Sequence, residues 1–159
     1  NVTCLPACTM RRNSANNADY YNWGEELTAP ASGVVVDARY TVADHDPYLP
    51  NVDGLPSNYI RWNTGQAWIL FAHLQQDTLV MPGGATVTLG QRIGRVGNTG
   101  PSVRSHLHLQ AEKIGDPATC YPIQFANVRV QLNPVATDFW AVRRPLWQVK
   151  EGFFVGPLR

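Results

Sequence analysis

The chain has 159 residues, 44% hydrophobic and 16% charged, with a formal net charge of +1. That length and composition predict one compact domain with a sizeable core. The small net charge, with adjacent basic pairs only at Arg11–Arg12 and Arg143–Arg144, argues against electrostatic binding to nucleic acid or an anionic membrane surface; no apolar run approaches the ~18 residues of a membrane span.

The chain opens at Asn1 with neither Met nor a charged-then-apolar leader. It reads as a mature or trimmed product, or as part of something longer. An exported protein is expected. Three cysteines are too few for a disulfide framework, although Cys4 and Cys8 can close a small loop, leaving Cys120 free or paired with one of them. Residues 1–27 are rich in Asn and carry little periodicity, so an irregular segment is expected before a β core over 28–132 and a C-terminal tail over 133–159.

From residue 28 onward the signals are almost all β. "SGVVVDARY" (32–40) has the β-branched run that suits a pleated, partly buried surface. "TVADHDPYLPNVDGLPSN" (41–58), with three prolines, a glycine and several aspartates, predicts a long excursion. "YIRWN" and "QAWILFAHL" flank Thr64-Gly65, a hairpin signal. "MPGGATVTLGQRIGRVGNTG" (81–100) reads as short strands joined by glycine turns, and "HLHLQAEK" and "PIQFANVRVQL" follow as further strands. No segment shows a 3.6-residue apolar stripe of helical length. Short strands with frequent turns predict an all-β sandwich or barrel-like fold. The aromatics Trp140, Trp147, Phe153 and Phe154 predict a tail that packs onto the body.

"SHLHLQ" (105–110) places two imidazoles one residue apart. On a strand His106 and His108 share a face, with Leu107 and Leu109 on the other. An isolated H-x-H reads as well as a solvated strand face, so its meaning depends on its surroundings.

Those surroundings carry a resemblance. "APASGVVV", "ILFAHL", "VTLGQRIGRVGNTG" and "SHLHLQ", in this order, resemble the lysostaphin/LytM-type zinc metallopeptidases, which cut peptides of bacterial peptidoglycan. "YYNWGEELTAPASGVV" and "YPIQFANVRV" resemble a branch with extra loops, and the likeness spans about residues 20–132. It implies an antiparallel β-sheet groove of barrel-sandwich type with long loops, one zinc ion, and a peptidoglycan peptide or another extracellular peptide or glycan as partner. A secreted, periplasmic or cell-surface location is implied too. In such sites three protein ligands hold zinc and leave a position for water, whose pKa the metal lowers toward ~7. By position the resemblance makes His108 a zinc ligand. His73 and His106 would flank the water as general base and oxyanion stabiliser.

The family's first ligand pair, an H-x3-D motif ahead of "APASG", is not visible. No histidine precedes His45, which lies after that strand in the long excursion. Either the His and Asp belong to chain that is cut away, or the protein is a metal-free relative acting as a binding or structural module. Asp19 and Asn1 are candidate substitute ligands, and each also reads as a solvated loop residue. A third reading, a lipoyl- or biotin-type carrier suggested by the glycine-rich hairpins, needs a lysine on a tight turn. The only lysines are Lys113 and Lys150, and neither is expected in one.

Overall fold

Successive side chains of a strand point to opposite faces, so segments such as "YIRWN" bury every second residue. The computed structural model describes residues 15–79, 81–131, 142–148 and 154–156. Among them are strands and one 3-10 turn, Asn17–Asp19, but no α-helix. The fold is all-β, as expected.

Six strands form one antiparallel sheet: β2 (Gly33–Arg39), β3 (Tyr59–Asn63), β4 (Trp68–Ala72), β5 (Thr86–Val87), β7 (His108–Lys113) and β8 (Asp116–Tyr121). Their spatial order is β5-β2-β3-β4-β7-β8, an open sheet that does not close into a barrel. A two-stranded sheet pairs β1 (Glu26–Thr28) with β6 (Arg92–Arg95). The third, in the order β10-β9-β11, joins β9 (Gln124–Gln131), β10 (Val142–Gln148) and β11 (Phe154–Gly156). The segment expected as a tail thus contributes two strands, while Trp140 and Phe153 lie outside the described residues.

The core lies on the inner face of the large sheet. Val35, Ile60, Trp62, Phe71 and Val87 pack with Ile93 of β6 and with Ala29, Leu74 and Leu79. Trp62 meets Phe71 edge-on, with 5.2 Å between ring centroids, and donates its indole N–H to the Ala31 carbonyl at 3.1 Å. Lys113 lies in a strand and not in a tight turn, as the sequence reading expects. It ends β7 beside the turn at Ile114–Gly115, where its ammonium lies 3.8 Å from Asp116.

A bulge sets what the outer face displays. The register of β2 shifts between Val35 and Asp37, which makes Val36 the extra residue. Val35 stays opposite Trp62 in the core, while Asp37 moves opposite Arg61. Three cross-strand rows result on the outer face. They run Arg39–Tyr59–Ala72–His108, Asp37–Arg61–Leu70–Gln110 and Val34–Asn63–Trp68–Glu112.

One close approach ties this sheet to the glycine-rich stretch. The N–H of Gly97 donates to the His73 carbonyl at 3.0 Å, and a Cβ at Gly97 would strike the Gln75 backbone and the Asp44 carboxylate. Backbone cannot yield as a side chain end can. Gly97→Ala is therefore expected to lower the unfolding free energy by about 1–3 kcal/mol, read from urea denaturation; an unchanged midpoint would mean that the loops relax freely.

Candidate active site

Strand β4 ends at Ala72, and the next residue leaves the pleat. His73 has φ +61°, the left-handed region that His visits more readily than most residues. Simple alternation would put Leu74 on the outer face, yet it is fully buried in the core and bridges to Val96. The turn at His73 resets the parity, which sends Leu74 inward and leaves the imidazole at the end of the outer face.

The three histidines predicted to converge do come together. The His73 ring centroid lies 4.5 Å from that of His106 and 5.8 Å from that of His108. His108 is the first residue of β7, paired with Ala72, so the backbone pairing itself sets it beside the end of β4. His106 precedes the strand rather than belonging to it. Leu107 and Leu109 pack against the core, as the alternation predicted.

Hydrogen bonds decide which nitrogen each ring presents. His73 Nδ1 lies 2.7 Å from the Thr99 carbonyl and His106 Nδ1 lies 2.8 Å from the Arg104 carbonyl. A carbonyl only accepts, so both rings carry their proton on Nδ1 and keep the lone pair on Nε2. His108 is the reverse. Its Nε2 lies 3.0 Å from Gln110 Oε1, while the Gln110 amide nitrogen donates to Glu112 Oε1 at 3.2 Å. The buried Glu112 carboxylate, held by Arg61 Nε at 2.8 Å, requires a donor and so fixes which way the amide points. Gln110 therefore accepts from His108 Nε2–H, and the lone pair of His108 sits on Nδ1.

Burial is the first cause of the low basicity here. It pushes the pKa of His73 down from 6.5 to about 4, opposed by the bond to Thr99 and aided by the neighbouring imidazoles. The pKa of His106 is lowered by burial in the same way, with the Arg104 carbonyl opposing. In the absence of metal both are neutral bases near pH 7.

Sequence reasoning missed the residues that hold these rings. Ser57 Oγ accepts from the His73 backbone N–H at 3.2 Å, and Ser102 Oγ, 3.2 Å from His106 Nδ1, donates to Asn98 at 2.6 Å. The excursion 41–58 is clamped against this wall. Asp44 accepts from the Asn98 and Gln76 N–H groups at 2.6 and 2.9 Å, and the Tyr48 N–H donates to the Val103 carbonyl at 2.7 Å. His45 lies with its ring nitrogens 2.9 Å from the Asp46 and Gly100 carbonyls; it braces loops and does not join the cluster. The polar residues Asn58, Asn98 and Ser102 look like ordinary loop composition in sequence, and only their burial reveals them.

Among the described residues the metal-holding half is not assembled. Asp19 ends the 3-10 turn and is half-buried, and Asn1, Cys4 and Cys8 lie outside the described residues. Cys120 is an exposed free thiol. A catalytic zinc takes three protein ligands, yet among the described residues no group of three His, Cys, Asp or Glu side chains could hold a metal ion. The described residues therefore do not fit a complete zinc centre.

Two measurements check this geometry on the metal-free protein. Between pH 6.5 and about 4 the unfolded chain takes up a proton at residue 73 that the folded protein refuses, so stability present above pH 6.5 is lost as the pH falls through that window. His73→Asn, which tolerates the left-handed backbone, is expected to flatten that pH slope by up to about one proton. Glu112→Gln is expected to free the Gln110 amide to turn and to move the His108 proton toward Nδ1, seen in imidazole 15N shifts. Unchanged shifts would break the link between Glu112 and His108.

No curated protein matches the chain. Among solved structures, the catalytic domain of a point mutant of the prophage-encoded M23 protein EnpA from Enterococcus faecalis matches at 23% identity and a TM-score of 0.36, covering 69% of this chain and 78% of that one. The profile described as Peptidase family M23 matches residues 18–120. That span runs from the 3-10 turn through the histidine cluster to β8, and the chain belongs to peptidase family M23.

Proposed function

We propose that this domain is a secreted, periplasmic or cell-surface metallopeptidase that acts on a peptidoglycan peptide or another extracellular peptide. The observation that carries this reading is the tautomer pattern: His73 and His106 direct basic Nε2 atoms from a cluster that they share with the Nδ1 of His108. Members of the family are typically zinc-dependent. His108 is the zinc ligand in this reading, and the missing ligands come from outside the described residues.

The chain's own groups support peptide hydrolysis in two ways. Neutral imidazoles with Nδ1–H tied to backbone carbonyls can each accept one proton, at Nε2, without turning. Once protonated, such a ring becomes a donor toward an oxyanion on a carbonyl beside it. Both rings are held before substrate arrives, so little reorganisation is required at the moment of reaction.

A second reading has its own support, because the described residues make no complete metal cage. It is a metal-free relative that binds peptide or glycan without cutting it. Metal analysis of natively purified protein separates the two. About one zinc per chain, with release of soluble peptide from cell-wall sacculi, is the expected result. His73→Ala and His106→Ala should each slow release by roughly 10²–10⁴-fold. Sacculi that are bound but never cleaved, by protein lacking zinc, would replace the enzyme with the module.

A further inference from the structure

The row Arg39–Tyr59–Ala72–His108 crosses the outer face from the histidine cluster to the far side of β2. Neighbouring strands are ~4.8 Å apart, so the row is roughly 14 Å long, the reach of about four residues of extended peptide. Ala72 puts only a methyl group in its middle, and the Tyr59 ring stands beyond it. Two guanidinium carbons flank that ring, Arg39 at 5.8 Å and Arg61 at 6.0 Å from its centroid.

The two cations are not equivalent. Arg61 lies between carboxylates, 3.2 Å from Asp37 and 2.8 Å from Glu112. Asp37 also accepts the Tyr59 hydroxyl at 3.0 Å. Arg39 is exposed, and it makes no ion pair among the described residues. Counting Arg39 and Arg61 against Asp37 and Glu112 makes the face formally neutral, so attraction at long range is weak. What Arg39 offers is a forked donor at contact distance, the geometry that matches a carboxylate.

We propose that Arg39, backed by Tyr59, is a carboxylate-binding subsite for an acidic group on an extended peptide about four residues from the histidines. The proposal rests on the peptide-hydrolysis reading above, takes this outer face as the peptide cleft, and adds a chemical preference at one end.

The test is an NMR titration of the full chain with a synthetic stem tetrapeptide, L-Ala–γ-D-Glu–L-Lys–D-Ala, as the free acid and with both carboxyl groups amidated. Backbone amide shifts at Arg39, Tyr59 and Ala72 report occupancy without requiring turnover. The acid form should bind at least about tenfold more tightly, Arg39→Gln should erase that difference, and Arg39→Lys should keep only part of it. Acid and amide binding alike to the unaltered chain would overturn the subsite while leaving the cleft in place. No shift with either peptide would overturn the subsite and the peptide-cleft reading together.

Discussion

The site depends on one backbone turn, the left-handed φ of His73 where β4 ends. It lets consecutive residues face opposite demands. Leu74 enters a core that needs an apolar side chain there, and His73 is left at the head of the outer face, its Nδ1–H on the Thr99 carbonyl. A strand that continued past Ala72 would exchange the two. The cost would be a buried imidazole without its partner and an exposed leucine, so the core and the cluster enforce the same conformation from two sides.

The opposite wall is built differently, from buried polar groups that satisfy one another. Asn58 accepts from the Val42 N–H at 2.9 Å and donates to the Val42 carbonyl at 2.8 Å. Thr99 Oγ1 accepts from the Asn58 N–H at 3.0 Å and donates to the Leu74 carbonyl, also at 3.0 Å. Unpaired, each such group would cost about 1–3 kcal/mol; paired, they leave the loop few alternative arrangements. The carbonyls of Thr99 and Arg104 that orient the two imidazoles belong to this wall. Its rigidity sets the direction of the lone pairs, which connects loop packing to the proton chemistry proposed for the cluster.

Much of this could be read in the sequence, and the reasons are physical. Period-two alternation in "YIRWN", "WILFA" and the "HLQ" that opens β7 places core and outer residues correctly because a pleat permits nothing else. His106 and His108 were legible as a pair, and the family resemblance singled out His73. The parity reset at His73 was not legible, because nothing in "FAHL" marks a left-handed residue as a glycine would. Nor was the bulge at Val36, hidden in a uniform "VVV". Strands β10 and β11 of the C-terminal segment were not legible because "RRP" interrupts the pattern within β10 and β11 spans only three residues. Ser57, Thr99 and Ser102 escaped for another reason. Loop hydroxyls gain meaning from what they touch; for Ser57 and Thr99 those contacts join positions 16 to 42 residues apart, and for Ser102 they run within a loop to Asn98 and His106.

The two halves of the site also differ in how the fold holds them. His108 opens β7 opposite Ala72 and His73 follows the end of β4, so strand pairing itself places both. The described residues ahead of β1, 15–25, are attached through edge contacts. Asn17 donates to the His45 carbonyl at 2.7 Å and Asn22 to that of Ser105 at 2.9 Å. Along this seam Asn17 Oδ1, Asn22 Oδ1 and Ser105 Oγ are buried without hydrogen-bond partners. Among the described residues up to Ala29, only Tyr20 and Ala29 are buried apolar residues, so replacing ligands here would leave the β framework intact. An active peptidase and a metal-free relative can thus share every strand and differ in a few side chains on one wall. The fold by itself does not choose between them; the ligands on that wall do.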